Sequence, residues 1–586
     1  MFRLLTIAVI LAIAASLPAQ SFFQREKRDY IWLLGYASSA QVPGFGGTRI
    51  DFNYTLPTVA YEYRDMNFEA AATSICDAQG NLLFYSNGIY VANYLHEPME
   101  NGTGLNPDPY TDEWADGGCP YPQVILALPQ GMDQYLLVHC VVSRREEPNE
   151  HGEFIYSDKA LFSRIDMSAN DGEGMVTLKN ISLLQDTIDR HGKITAVRHA
   201  NGRDWWVVIP EYYSNGFYRL LVTPDTILNH GLQAIGDTVP SGLGQAAFSP
   251  DGTKYARLNI YRLGQDQYVD IYDFDRCTGT FSNPVQFTYR DTALMGGLAF
   301  SENSRFLYVS SFRFTYQFDL EVENVADSKT IVGFPEELGE GYFLSQLAPN
   351  RKIYIGTQGT TSHMHIIHNP NKRAPACNFE YIGLPLPTRN FRTIPNFPYY
   401  GLGPVDGSSC DTLGIDNPVP VAAFEYTADS AALAIEFFDG SFFATGWYWN
   451  FGDGTTSTQR HPVHSYAQSG AYTVCLTASN MTGSDMVCDT IQLGEITSLE
   501  EPLAQEGILR VYPNPASHEI TLVAERFPTG PVVFRVYDAL GREVLRRQMH
   551  SNTGRMEERI DISGLPAGAY FWRVEAVGGK LVVIED

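Results

Sequence analysis

Hydrophobic positions open the chain as one unbroken run, residues 4–17 (LLTIAVILAIAASL), and afterwards come only in short bursts. The run follows Arg3 and falls short of the roughly 20 residues that cross a bilayer, so it predicts a secretory signal over residues 1–20. No later stretch approaches spanning length, and no transmembrane segment is expected. Beyond the signal, short apolar runs alternate with Gly, Pro, Asn and Asp, the punctuation of strands and tight turns. Six segments repeat one grammar of apolar strand, turn and second apolar strand: SICDAQGNLLFYS, LALPQGMDQYLLV, AVRHANGRDWWVV, AFSPDGTKYAR, AFSENSRFLYV and QLAPNRKIYIG. Their equivalent turn positions, Gly80, Gly131, Gly202, Gly252, Ser304 and Arg351, lie 51, 71, 50, 52 and 47 residues apart.

A period near 50 with two or more strands per unit and no helical periodicity is what a β-propeller blade needs. The fold class is therefore all-β, with a propeller over residues 30–405. The one long spacing carries the charged insert SRREEPNEHGEF (143–154), read as a loop or extended hairpin on one rim. AFSPDG and AFSENS resemble the repeats of WD-like and TolB-like propellers. IWLLGY (31–36), DFN (51–53) and TIPNFPYYGLGP (393–404) fall outside the six repeats and are expected to combine into a seventh blade that closes the ring. Seven blades are favoured, with six as the alternative.

A turn-rich linker (405–420) leads to a second module with the signature GWYWNFGDGTTSTQRHPVHSYAQSGAYTVCLTASN. Trp447, Trp449 and Phe451 share one strand face, and Tyr472, Val474, Leu476 and Ala478 form another. Cys475 and Cys488 lie symmetrically about the turn-like NMTGS, so a hairpin folded there sets them opposite each other at disulfide distance. Partners for the other six cysteines do not follow from spacing. The run WxFGDG, HxY and GxYxVxL resembles a polycystic-kidney-disease (PKD) domain over 417–494, which implies an immunoglobulin-like sandwich used as a spacer or binding module. After a second linker, residues 508–586 alternate as another sandwich. YPNPA, YDxxGRxV and GLPAGxY in that order resemble the C-terminal sorting domain of the type IX secretion system of Bacteroidetes. The resemblance implies export across the outer membrane, with the secretion machinery as the tail's partner and a final place outside the cell.

With 41 Lys+Arg against 67 Asp+Glu the net charge is −26, which repels polyanions and sets aside nucleic acid as a partner. HExxH, GxSxG, Walker and dinucleotide signatures are absent from the sequence. No catalytic residue, cofactor or metal is assigned, and whether the chain is an enzyme stays open, with a negative answer favoured. In SHMHIIH, His363 and His365 share a strand face while His368 falls on the other, and no acidic residue sits at ligand spacing. That reads as a blade strand. The candidate ligand-binding residues are the polar positions just before inner strands, Glu69, Lys193 and Gln245, which are expected to converge with Asp51 near one opening of the ring and to hold a sugar or peptide terminus. The expected function is that of a secreted or surface-attached, non-catalytic binding protein with a glycan or protein ligand. A propeller hydrolase or lyase on extracellular polymer and a structural part of the export or motility apparatus are the alternatives.

Overall fold

The second strand of a repeat is largely buried between neighbouring blades; Trp205–Pro210, Phe306–Ser311 and Ile353–Thr357 are buried at every position. The turn before that strand demands a left-handed residue. Gly80, Gly202 and Gly252 adopt it with φ of 94°, 77° and 72°, and Ser304 and Arg351 adopt it at 61° and 67° without being glycine. Five of the six aligned turn positions share this conformation; in the third blade Gly131 does not, and Asp133 adopts it instead at 57°. At Gly202 the turn is also crowded, because an added Cβ would lie 2.8 Å from Pro404 Cδ.

The computed structural model describes residues 21–22 and 26–493, apart from 40–41, 55, 262–265, 292, 294, 335–339 and 430–432, together with most of 508–583. The omissions in that last stretch are 513–517, 526–529, 538–542, 552–554, 566–567 and 575–576. The signal over residues 1–20 lies outside the described residues.

Seven meandering blades follow one another, with the inner strands of neighbours side by side. The first has three strands, Ile31–Leu34, Gly47–Asp51 and Thr58–Glu62. The second and third, running from Thr73–Cys76 to Met175–Ile188, join at their outer edges into one eight-stranded sheet through the pair Met175 and Glu100. The fourth to seventh have four strands each, and their inner strands are Thr195–Arg198, Ala246–Phe248, Gly296–Phe300 and Tyr342–Leu347. Such a meander places the turns between first and second strands on one face of the ring, here called lower. It places the links between blades, and the loops between second and third strands, on the other, upper face. The insert is the tip of an extended hairpin on the upper face, between Gln134–Arg144 and Ile155–Asp166.

The N-terminal segments close the ring as expected, but residues 393–404 are not a blade strand. Pro395, Pro398 and Pro404 deny this stretch the N–H groups of a ladder. The stretch instead runs down the axis from the upper to the lower face. The Asn396 N–H donates to Ala72 O (2.8 Å), Tyr400 OH to Ala127 O (2.8 Å) and Val405 N–H to Ala200 O (2.9 Å). Phe397 and Tyr400 pack with Trp32 and Trp205, and all four are buried. The tail is then fixed covalently, because Cys410 bonds to Cys277 of the fifth blade.

Inside the third blade His139 is fully buried; Nδ1 meets Asn106 Oδ1 at 2.7 Å and Nε2 meets Ser163 Oγ at 3.0 Å. Burial pushes this imidazole down to about 3, so the folded protein holds it neutral. A depressed histidine pKa means the unfolded chain binds the extra proton first. Stability is therefore complete above the unfolded value and lost as pH falls through the window between roughly 6.5 and 3. Lowering pH from 7.5 to 5 should remove about 2 kcal/mol through this group. Urea midpoints at the two pH values check it: His139→Gln is less stable at both, and its loss between them is smaller by that amount.

Residues 424–493 form a two-sheet sandwich around Phe437, Trp449, Phe451, Val474 and Leu476. Cys475 faces Cys488 in the ladder and is bonded to it, as expected. This sandwich sits on the lower face of the ring. Arg305, paired with Asp319 at 2.8 Å, lies 3.2 Å from the ring centroid of Phe438, and Arg351 lies 4.9 Å from that of Phe442. The C-terminal unit, taken alone, is a second sandwich of three and four strands with Ile520, Leu522, Phe534, Val536 and Ile560 buried.

Candidate functional site

The positions that precede inner strands lie at the upper face, as sequence predicts for Glu69, Lys193 and Gln245. Asp51 does not join them. It ends the strand Gly47–Asp51 beside the lower-face turn of the next blade, where its Oδ1 accepts from Asn53 N–H at 2.9 Å while Asn53 Nδ2 reaches Gly80 O at 2.9 Å. The expected convergence fails for Asp51 because Ile31–Leu34, buried at every position, stands where the other blades have their second strand, so Gly47–Asp51 runs down to the Gly80 turn.

Lys193 and Gln245 are turned inward. Lys193 is fully buried, and its Nζ donates to Asp189 Oδ2 (2.8 Å), Gly242 O (2.7 Å) and Asn259 Oδ1. Burial lowers the ammonium pKa against the pull of Asp189. Burial alone would raise Asp189; Lys193 and His191 outweigh it and hold that carboxyl well below its usual range. The Gln245 carboxamide accepts from Leu298 and Ser345 N–H, both at 3.1 Å, and donates to Ser345 O at 2.9 Å, so it ties three inner strands together. Gln123 precedes the third inner strand and carries the same sequence signal. It exchanges hydrogen bonds with Ala246 and donates to Asn396 Oδ1 (3.1 Å), and Asn396 Nδ2 in turn reaches Ile125 O and Ile194 O. Glu69 stays half-buried against Gly117, whose carbonyl accepts its N–H at 2.9 Å.

Along the axis, from Gln123 and Gln245 down to Phe248 and Leu347, the ring keeps a cavity of about 40 Å³, enough for a few waters and far below a ligand pocket of several hundred Å³. Its lining includes Gln123, Gln245 and Phe397, with Asp29 as the carboxylate.

The upper face offers more chemistry. The insert folds toward the fourth blade, where Glu153 accepts from Tyr212 OH and pairs with Arg190, both at 2.5 Å. Asn149 Nδ2 donates to the same Tyr212 oxygen at 2.8 Å, and His151 stacks on Tyr213 with centroids 3.9 Å apart and planes 9° apart. Tyr213 meets Tyr261 of the fifth blade edge-on at 6.0 Å. All of these rings are partly open to solvent. Hydrogen-bonded acid and base beside stacked rings suit a ligand with polar edges and apolar faces.

In the seventh blade, His363 and His365 share a face as the sequence implies. The acidic partner missing from SHMHIIH comes from the link before the blade, where Glu340 Oε2 lies 3.1 Å from His363 Nε2 and accepts from Tyr381 OH at 2.7 Å. Sequence spacing conceals it because 23 residues separate Glu340 from His363. His368 turns away to Glu380 and Lys352. In the sandwich, Asp453 caps the backbone N–H of Thr455 at 2.9 Å and binds His464 at 2.8 Å, the local role expected of a turn aspartate.

This architecture defines a multidomain, all-β class with a plugged ring and appended sandwiches. Residues 417–493 match the PKD domain family, and residues 510–584 match the family described as the secretion system C-terminal sorting domain. Over 59 residues the chain is 41% identical to Collagenase ColA of Bacillus cereus, a stretch that covers 10% of this chain and 6% of the collagenase. The PKD1 domain of the Vibrio cholerae metalloprotease PrtV is 32% identical and covers 13% of this chain and 100% of that one, with a TM-score of 0.13. A quinonprotein alcohol dehydrogenase-like protein from Bacteroides thetaiotaomicron covers 63% of this chain and 77% of that one at 11% identity, with a TM-score of 0.33. None of these likenesses is extensive enough to transfer an activity. The tail marks an exported protein, secreted or attached at the outer cell surface, whose sorting domain is read by the secretion machinery. Among the described residues no helix is long and apolar enough to cross a membrane.

Proposed function

We propose that this is a non-catalytic recognition protein displayed outside the cell, with the upper face of its propeller (residues 30–405) as the binding face. In this reading the PKD-like sandwich (417–494) braces the lower face, and the tail (508–586) serves export. The observation that carries the proposal is the filled axis. Residues 393–404, Gln123, Gln245 and Lys193 use the centre of the ring for internal hydrogen bonds, which leaves ligand contact to the rim formed by the insert, Arg190, Tyr213 and Tyr261. Glu69 lies at the same end. Aromatic faces beside charged hydrogen-bonding groups favour a glycan or a polar peptide as ligand. The formal charge of −26 keeps polyanions away. The test is a glycan and protein array, with collagen included, probed with the full exported chain while polymer degradation is followed on the same sample. Binding without turnover is expected. Release of cleaved product at a rate above that of a heat-treated control overturns the proposal in favour of a hydrolase or lyase.

A further inference from the structure

We propose that Glu340, His363 and His365 form a binding site for one divalent transition metal ion, of the zinc type, between the sixth and seventh blades. One donor atom from each of the three residues lies within 4.8 Å of the other two. Two imidazoles and a carboxylate are the donor set that suits zinc, leaving a fourth position open to water or a ligand. The two histidines are placed by alternation, two residues apart on one face of the strand Thr360–Ile367, and Glu340 enters from the link that precedes the blade.

Two further observations point to an occupant. His365 is fully buried, and its Nε2 has no hydrogen-bond partner among the described residues, which is costly for a polar atom removed from water. The carboxylate is already oriented from outside the donor set, because Tyr381 OH donates to Glu340 Oε2 at 2.7 Å, as outer partners of metal-bound carboxylates do. The His365 ring is itself clamped, stacked on Tyr381 at 4.9 Å and met edge-on by Tyr342 at 4.8 Å. Little side-chain freedom remains to be lost on binding.

The hydrogen bond from Ile382 N–H to His365 Nδ1, at 3.1 Å, sets a condition. With Nδ1 accepting, the ring's proton sits on Nε2. Ligation through Nε2 requires that proton to move to Nδ1, where it then needs an acceptor. No proton leaves the ring. Ile382 occupies a bulge opposite His365 with φ of 57°, a left-handed conformation that is costly for a β-branched residue. Turning over the Tyr381–Ile382 peptide would present the Tyr381 carbonyl to Nδ1–H and bring Ile382 into the extended region. The same movement relieves the backbone and supplies the acceptor that a metal-bound histidine requires.

The experiment uses the full exported chain, stripped with a chelator and titrated with Zn²⁺ by calorimetry. Co²⁺ absorption reads the donor set independently. The expected result is one ion per chain, with tetrahedral Co²⁺ bands. Glu340→Gln and His363→Gln should each weaken binding by about 100-fold or more, and Tyr381→Phe by about 10-fold, in line with the effect of outer partners. His368→Gln, outside the donor set, should bind as the unaltered chain does. Because His365→Gln alters a buried position, its binding is compared only after its urea midpoint is shown to match that of the unaltered chain, and the partly exposed Glu340 and His363 variants carry the test otherwise. Absence of Zn²⁺ binding at 100-fold excess, octahedral Co²⁺ bands, or equal losses in His368→Gln and His363→Gln overturn the proposal.

Discussion

Replacing Cys277 and Cys410 together by Ser is expected to cost the propeller about 5 kcal/mol, the chain-entropy value for so long a loop. The bond joins residues 133 apart, enclosing the end of the fifth blade, the sixth and seventh blades and the axial tail. It matters more than its position near the surface suggests, because among the described residues no strand ladder joins the seventh blade to the first. The seventh blade meets the first through contacts such as Thr48 Oγ1 to Thr388 Oγ1 (2.6 Å) and Tyr36 N–H to Arg389 O (2.9 Å). The tail that follows is the latch, and the disulfide bolts its far end. Cys475 and Cys488 lie only 13 positions apart, so their double Ser variant should cost about 3 kcal/mol and affect the PKD-like sandwich alone. Denaturant curves read by propeller and sandwich tryptophans separate the two. Equal, small losses from both double variants would mean that the latch holds without its bolt.

Lys193→Met is expected to destabilise by roughly 3–5 kcal/mol, because it strands Asp189, a carboxylate only 1% exposed, without its cation. Adding Asp189→Leu should restore much of the loss, since a buried pair replaced on both sides by apolar groups leaves no uncompensated charge. If Lys193 instead served a ligand, the single variant would keep its denaturation midpoint and lose affinity. The pair of measurements therefore separates a scaffold cation from a binding cation.

Much of this architecture was legible because blade strands and turns carry local signals. The apolar second strands, the left-handed turn positions and the mirrored Cys475 and Cys488 each depend on a few adjacent residues. What the sequence concealed is non-local. TIPNFPYYGLGP reads from sequence as part of a seventh blade, and only the assembled ring shows that its prolines exclude it from a ladder while Phe397 and Tyr400 fill the axis. Cys277 and Cys410 carry no symmetric turn between them, so their pairing depends on where the tail lands. Asp51 and Glu69 both border strands, but strand direction sends them to opposite faces. Gln245 and Lys193 are legible as polar residues beside inner strands, yet that position suits a ligand or a neighbouring blade equally well, and only their acceptors, Ser345 O and Gly242 O, distinguish the two. Glu340 joins His363 across a connection that no fixed spacing predicts.

Hydrogen–deuterium exchange on the full exported chain, with and without its array-selected ligand, tests the central claim most directly. Recognition on the upper face predicts that protection concentrates on residues 145–154 and 211–213, while the lower-face turns near Ser304 and Arg351 are unchanged. Protection confined to those turns, or to the PKD-like sandwich, would contradict it.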